Sequence, residues 1–319
     1  MIKEIILVAP RGFCAGVARS VEVVKDCLEI FGSPIYVKHA IVHNKTVVAD
    51  LEDLGAITVE EVSEIPEGSI AVFSAHGSPP EHYEQAKDRK IRVIDATCPL
   101  VTKVHIEIAQ YLQKGFKVIY IGHKGHVEGV GVLGEAHALG HDVPLVDSLE
   151  DVKKLNYAEE DDIVILTQTT LSISETQKII REIKKCYPQA VEPAASDICY
   201  ATTNRQGAIT ELAQKTDVII VVGSTTSSNS KRLVEVAREA GTEAHLIDHV
   251  NELQDAWFTN KESVGLSAGA SAPEYRVQEI VDHFTAKGAK KSELEPIKEK
   301  MHFIEPRELT EARNSQKDR

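Results

Sequence analysis

Short apolar runs rich in isoleucine and valine alternate along the chain with longer segments in which apolar residues recur at helical spacing. The runs Ile5 to Ala9, Ile70 to Ser74, Val93 to Asp95, Val118 to Ile121, Ile163 to Leu166, Val218 to Val222 and Val264 to Ser267 predict strands. The segments Ala15 to Phe31, Pro99 to Lys114, Ser174 to Cys186, Gly207 to Lys215 and Ser230 to Ala240 predict amphipathic helices. Strand and helix in alternation is the pattern of a mainly parallel sheet covered by helices, so the expected class is α/β.

Several predicted strands run out into small polar or imidazole residues: Ser74 to Gly77, Gly122 to His126, Thr167 to Thr170, Gly223 to Ser224 and Ser267 to Ser271. Such residues also simply make turns. In open α/β sheets, however, ligands lie beyond the carboxyl ends of strands, so these tips together mark the expected site.

Three cysteines share one setting. Cys14 follows a strand and a glycine turn, Cys98 follows a strand and precedes Pro99, and Cys199 precedes a helical stretch. Each stands near a helix amino terminus, where unpaired amides favour the thiolate, the form that binds metal. They are 84 positions apart (14 to 98) and 101 apart (98 to 199), about one α/β unit each. This spacing predicts three similar domains in a pseudo-threefold (trefoil) arrangement around a central iron-sulfur cluster. The expected ranges are 15–98, with 1–14 contributing a strand and the first cluster cysteine, then 99–195 and 196–284, followed by a partly disordered extension over 285–319. Three thiolates without a fourth suit a cluster whose remaining iron is open to substrate. Cys27, on an apolar helix face, and Cys186, at the end of a lysine-rich helix, are expected to be structural.

Five cysteines, an odd number, argue against a disulfide framework. A formal net charge of -13 without a basic block argues against a nucleic-acid partner. No apolar run approaches membrane-spanning length, and the run Ile5 to Ala9 is too short for a signal peptide, so a cytoplasmic protein is expected.

The motifs Pro10 to Val17, Asp95 to Val101, Thr167 to Ser172 and Ile198 to Gln206 closely resemble those of the 4-hydroxy-3-methylbut-2-enyl diphosphate reductase family. The resemblance continues through His39 to Asn44, Ser74 to Gly77, Ser227 to Ser230 and Ala268 to Pro273. It implies reductive removal of an allylic hydroxyl to give isopentenyl and dimethylallyl diphosphate. It implies one [4Fe-4S] cluster on Cys14, Cys98 and Cys199, with the substrate hydroxyl at the open iron. It further implies Glu128 as proton source with Thr169 in the relay. Diphosphate donors would be His43, His76, His126, Ser227, Ser228, Asn229 and Ser271, with Thr170 and Thr202 nearby. A ferredoxin or flavodoxin is the implied electron donor, and a monomer or homodimer the expected state.

One departure stands out. The family usually has proline between the histidine and the glutamate, whereas this chain has Val127, followed at Gly129 by a further flexible residue. A loosened loop is expected around Glu128. Two rival readings are a cluster-dependent hydro-lyase, which needs no external electrons, and a non-catalytic sensor whose cysteines bind zinc. Beyond Phe284 the chain turns lysine- and glutamate-rich. Lys300 to Ile304 could supply an edge strand or cross the domains, and Thr310 to Arg319 is expected to be a disordered tail.

Overall fold

The computed structural model describes residues 2–317. Along them β1 (Glu4–Val8) leads into α1 (Ala15–Phe31), and β2 (Ile35–Lys38) into α2 (Lys45–Asp53). β3 (Ala56–Val59) and β4 (Ile70–Phe73) precede α3 (Pro80–Asp88), and β5 (Arg92–Asp95) precedes α4 (Pro99–Gln113). The middle of the chain forms β6 (Lys117–Ile121), α5 (Val127–Ala138), β7 (Leu145–Val146), α6 (Leu149–Val152), β8 (Ile163–Thr167) and α7 (Ile173–Cys186). The rest forms α8 (Tyr200–Ala213), β9 (Val218–Val222), α9 (Ser228–Glu239), β10 (Glu243–Ile247), β11 (Ser263–Ala268), α10 (Glu274–Ala286), β12 (Lys290–Leu294) and α11 (Arg307–Lys317). The class is α/β with three parallel sheets, as the apolar periodicity predicts.

Two compact units divide the chain. The first comprises Met1–Ala18, Val42–Asp50 and Tyr200–His302 and contains a five-stranded sheet of order β10-β9-β11-β1-β12, parallel throughout. Alternating side chains feed two cores. Ile5, Leu7, Ile220 and Leu266 pack against Val277, Ile280 and Phe284 of α10, while Ile219, Val221 and Ala244 pack against Ile209 and Leu212 of α8 and Leu233 of α9. Gly265 is glycine because α8 lies so near: a Cβ there would stand 2.8 Å from Leu212 Cγ.

The strand at the carboxyl end is β12, not the Lys300 to Ile304 run. Its sequence Lys-Lys-Ser-Glu-Leu lacks an apolar pattern because it is an edge strand, paired only with β1. Downstream, Glu299 meets Arg205, a fully buried residue of α8 whose guanidinium also donates to the Gly12 and Ala201 carbonyls at 2.9 and 3.1 Å.

The second unit comprises Arg19–Ile41, Leu51–Cys199 and Phe303–Arg319, with parallel sheets of order β3-β2-β4-β5 and β7-β6-β8. Val104, Ile108 and Leu112 of α4 share a core with Val118 and Tyr120 of β6 and Val132 of α5, and Ile119 and Ile163 pack on Ile180 and Ile183 of α7. Where a disordered tail is expected after Thr310, α11 forms. It buries Leu309 and Ala312 and pairs Arg313 with Asp26 of α1 at 2.5 Å, which offsets its polar composition; the last two positions lie outside the described residues.

Phe73 sits fully buried on β4 with its ring 4.9 Å from that of Tyr83. Phe73→Ala should therefore lower the unfolding free energy by about 3–5 kcal/mol, measured by urea titration.

Candidate active site

In the first unit the tips of β1, β9 and β11 carry the polar loops. After β1, Gly12 turns with φ +63 and donates to the Ala268 carbonyl, and the Cys14 amide donates to the Ala270 carbonyl at 3.1 Å. The Cys14 carbonyl accepts from Ala18, and its half-buried Sγ accepts from the Val17 amide at 3.5 Å, so the thiol stands over the first turn of α1. Tyr200 accepts from the Ala15 amide, and its hydroxyl is pushed up to about 12 by burial first and then by the neighbouring Cys14.

After β9, Ser227 caps α9 by accepting from the Ser230 amide, and Ser228 opens the helix half-buried. Asn229 is buried; its Oδ1 accepts from the Ala270 amide at 2.8 Å, while its Nδ2 is a buried donor with no partner. A buried orphan donor costs free energy unless something accepts from it. Placed in the first turn of α9, where amides and the helix dipole favour negative charge, it suits an anionic ligand. Ser271, after β11, donates to the His43 carbonyl at 3.2 Å, and Thr202 is buried in the first turn of α8. This unit thus gathers Cys14, His43, Ser227, Asn229 and Ser271 around the ends of its strands.

In the second unit the tip of β4 carries Ser74, whose hydroxyl meets His76 Nδ1 at 3.2 Å. The rings of His39 and His76 are 5.9 Å apart and those of His76 and His126 6.4 Å, a row of three imidazoles. His126 caps α5, its Nδ1 accepting from the Glu128 amide, which assigns the ring proton to Nε2 and makes that atom a donor. The expected loop is therefore the first turn of a helix. Val127 occupies the position proline favours at a helix start, and the His126 cap keeps Glu128 in place.

Glu128 is 2% exposed. The Thr169 amide donates to one carboxylate oxygen at 2.7 Å and the Thr169 hydroxyl to the other at 2.9 Å. Burial outweighs both bonds and, with the Asp197 charge, raises the carboxyl to about 7. Beside it Thr170 accepts from the Gln168 side chain, and the Cys199 amide donates to the Thr169 carbonyl. Cys98 caps α4, and its amide donates to the Ala75 carbonyl, joining the β5 tip to the His76 loop. Arg19 donates to the Thr97 carbonyl next to this half-buried thiol, a positive charge that favours the thiolate. No strand leads into Cys199; backbone and side-chain bonds hold its segment instead.

Two residues to which the sequence gives no role acquire one in this geometry. His39 joins the imidazole row and is held by Glu60 at 2.7 Å; the spacing of His39 and His43 is its only signal. His105 of α4, bonded to Glu135 at 2.9 Å, lies between the backbones of Gly77 and Gly131. A Cβ on either glycine would stand 2.6 or 3.0 Å from the imidazole, so His105 spaces the His76 loop from the Glu128 helix. His123 instead faces Asp147. Cys27 is buried as expected, whereas Cys186 is exposed; none of the five cysteines forms a disulfide.

In the second unit, strand tips carrying histidine, threonine and cysteine beside a buried carboxyl raised to about 7 have the make-up of an enzyme active site, and in the first unit the amino terminus of α9 suits a small anion. The chain belongs to the LytB protein family, which its sequence matches over residues 5–285. It is 48% identical over 307 residues to the 4-hydroxy-3-methylbut-2-enyl diphosphate reductases of Haemophilus influenzae (strain PittGG) and Actinobacillus succinogenes, covering 96% of this chain and 98% of each relative. Among solved structures, the E-1-hydroxy-2-methyl-but-2-enyl-4-diphosphate reductase from Plasmodium falciparum superimposes with a TM-score of 0.96 at 37% identity, covering 99% of this chain and 100% of that one. A second, (E)-4-hydroxy-3-methyl-but-2-enyl diphosphate reductase, described as the terminal enzyme of the non-mevalonate pathway, gives 0.66 at 31% identity over 89% of this chain and 100% of its own.

A free glutamate titrates near 4.5 and Glu128 near 7, so between these values the folded protein binds the extra proton and its stability falls as pH rises. Glu128→Gln removes that loss. Relative to wild type, the variant should gain on the order of 1–3 kcal/mol on passing from pH 4.5 to above 7, read from urea midpoints across that range.

Proposed function

We propose that this chain reduces 4-hydroxy-3-methylbut-2-enyl diphosphate to isopentenyl and dimethylallyl diphosphate, the last step of the non-mevalonate isoprenoid route. The observation that carries the reading is Glu128, a buried carboxyl held by Thr169 on both oxygens and raised to about 7. The reductase names of the relatives support it.

Replacing an allylic hydroxyl by hydrogen, with loss of water, consumes two electrons and two protons. A carboxyl titrating near neutrality is suited to give a proton, and the Thr169 hydroxyl bonded to it supplies the relay. The orphan donor of Asn229 and the hydroxyls of Ser227, Ser228 and Ser271 in the first unit suit a diphosphate. So do the imidazoles of His76 and His126 in the second. His43, Thr170 and Thr202 complete the proposed substrate contacts.

The proposed cofactor is one [4Fe-4S] cluster on Cys14, Cys98 and Cys199, with one iron left open. The donor set fits: three half-buried thiols outside any disulfide, each at a helix amino terminus, one beside Arg19 and one accepting from an amide. When bound, such a cluster supplies single electrons and a Lewis-acidic iron for the hydroxyl oxygen. The electrons would come from a ferredoxin or flavodoxin in the cytoplasm. Among the described residues no helix is long and apolar enough to cross a membrane.

Anaerobically purified wild type should be brown and contain about four irons per chain, and Cys98→Ser should lose them. With a strong reductant, wild type should convert the allylic diphosphate to both products. A colourless, iron-free wild type overturns the reading.

Because an acid must be protonated to donate, kcat should fall as pH rises through about 7, the value at which Glu128 titrates. Glu128→Gln should lower kcat about 100-fold or more while leaving iron content unchanged. Both are read in a reductant-driven steady-state assay.

A further inference from the structure

Lys103 and Asp197 are assigned no contact with cluster or substrate above, although the Asp197 charge helps raise Glu128, and they lie between the parts of that machinery. Asp197 stands two residues before Cys199 in a stretch without helix or strand, and only 1% of its side chain is exposed. Its Oδ1 accepts from Lys103 Nζ at 2.6 Å and its Oδ2 from the Thr167 amide at 2.9 Å. Lys103 lies on α4, the helix that Cys98 caps. Its ammonium also donates to Glu107 at 2.9 Å and to the Ala195 carbonyl at 3.2 Å, which uses all three of its protons.

These bonds form one path within the second unit. It runs from Cys98 along α4 to Lys103, across to Asp197, and from Asp197 to the tip of β8, where Thr169 accepts from the Cys199 amide and holds Glu128. An ion pair between a buried carboxylate and a half-buried lysine contributes little net stability, since desolvation offsets the attraction; the best-attested use of such pairs is to fix register. Here the segments whose register it fixes carry two thiols, and one of them has no strand to hold it.

We propose that Lys103 and Asp197 are a positioning pair that sets Cys98 and Cys199 in the mutual register needed to ligate a common metal centre. The proposal rests on the cluster reading above. Residues that orient metal ligands change metal affinity when removed even where the fold survives. A pair that serves the fold alone changes unfolding and leaves the metal centre as it was.

The test compares wild type with Lys103→Met, Asp197→Asn and a control, Lys154→Met, which removes an ion pair to the largely buried Asp151 in the same unit. Each protein is reconstituted anaerobically with iron and sulfide. Three quantities are then read: the rate of iron transfer to a chelator, the electron paramagnetic resonance spectrum of the reduced protein, and the urea midpoint. Lys103→Met and Asp197→Asn should release iron about 10-fold faster than wild type and show a changed spectrum, while Lys154→Met matches wild type in both. Should Lys103→Met fail to fold, Asp197→Asn, which keeps an acceptor for the Thr167 amide, carries the comparison. Folded variants with wild-type release rates and spectra overturn the proposal, as does equally fast release from Lys154→Met. Wild type that takes up no iron is a distinct result: the cluster reading itself fails, and the pair's role with it.

Discussion

Parallel pairing is the constraint from which the placement of every polar group follows. A parallel strand cannot return by a hairpin; the chain must cross over before the next strand begins, so the carboxyl ends of all strands in a sheet share one edge. In the five-stranded sheet that edge carries the Cys14 turn, the Ser227 cap and the Ser271 loop. In the two smaller sheets it carries the His76 loop, the His126 cap, Thr169 and the Cys98 cap. Behind the Thr169 and Ser227 loops, β8 and β9 are buried throughout and apolar but for Thr167, which gives short, flexible residues a rigid base.

At those edges polar groups are taken out of water, and the result depends on how each is satisfied. Glu128 accepts two strong hydrogen bonds yet still titrates high, because two donors do not replace the hydration an ionised carboxylate loses. Asn229 has one end satisfied and the other left for a ligand. Lys103 and Asp197 are satisfied by each other and by three further partners, and that completeness suits an element that holds others still.

What the sequence reveals depends on whether a feature is local. Strand β9 and helix α1 are legible to the residue, since an unbroken apolar run and a long amphipathic period each have one reading. Helix α5 is not. Its glycines at 129, 131 and 134 lower helix propensity, and the reason for two of them lies elsewhere in the fold: Gly131 faces His105 and Gly134 faces Pro79, where side chains would collide. Strand β12 is hidden by its two lysines and a glutamate, and α11 by its lack of apolar period. The cysteines and tip motifs are visible because their chemistry is unusual. His105, Lys103 and Asp197 are common residue types on ordinary helical or loop sequence, and only their partners distinguish them.

The position of β1 ties the start of the chain to its end. The strand that leads to Cys14 is flanked by β11 and β12, so its two neighbours begin at residues 263 and 290. A nascent polypeptide emerges from its amino terminus, and this strand, apolar and unpaired on both edges, must wait for both neighbours until residue 294 has left the ribosome. Until then it is an adhesive segment that a chaperone would have reason to cover. The turn that carries Cys14 takes shape only once β11 and β12 have been made, so this early segment stays open through the synthesis of everything between them.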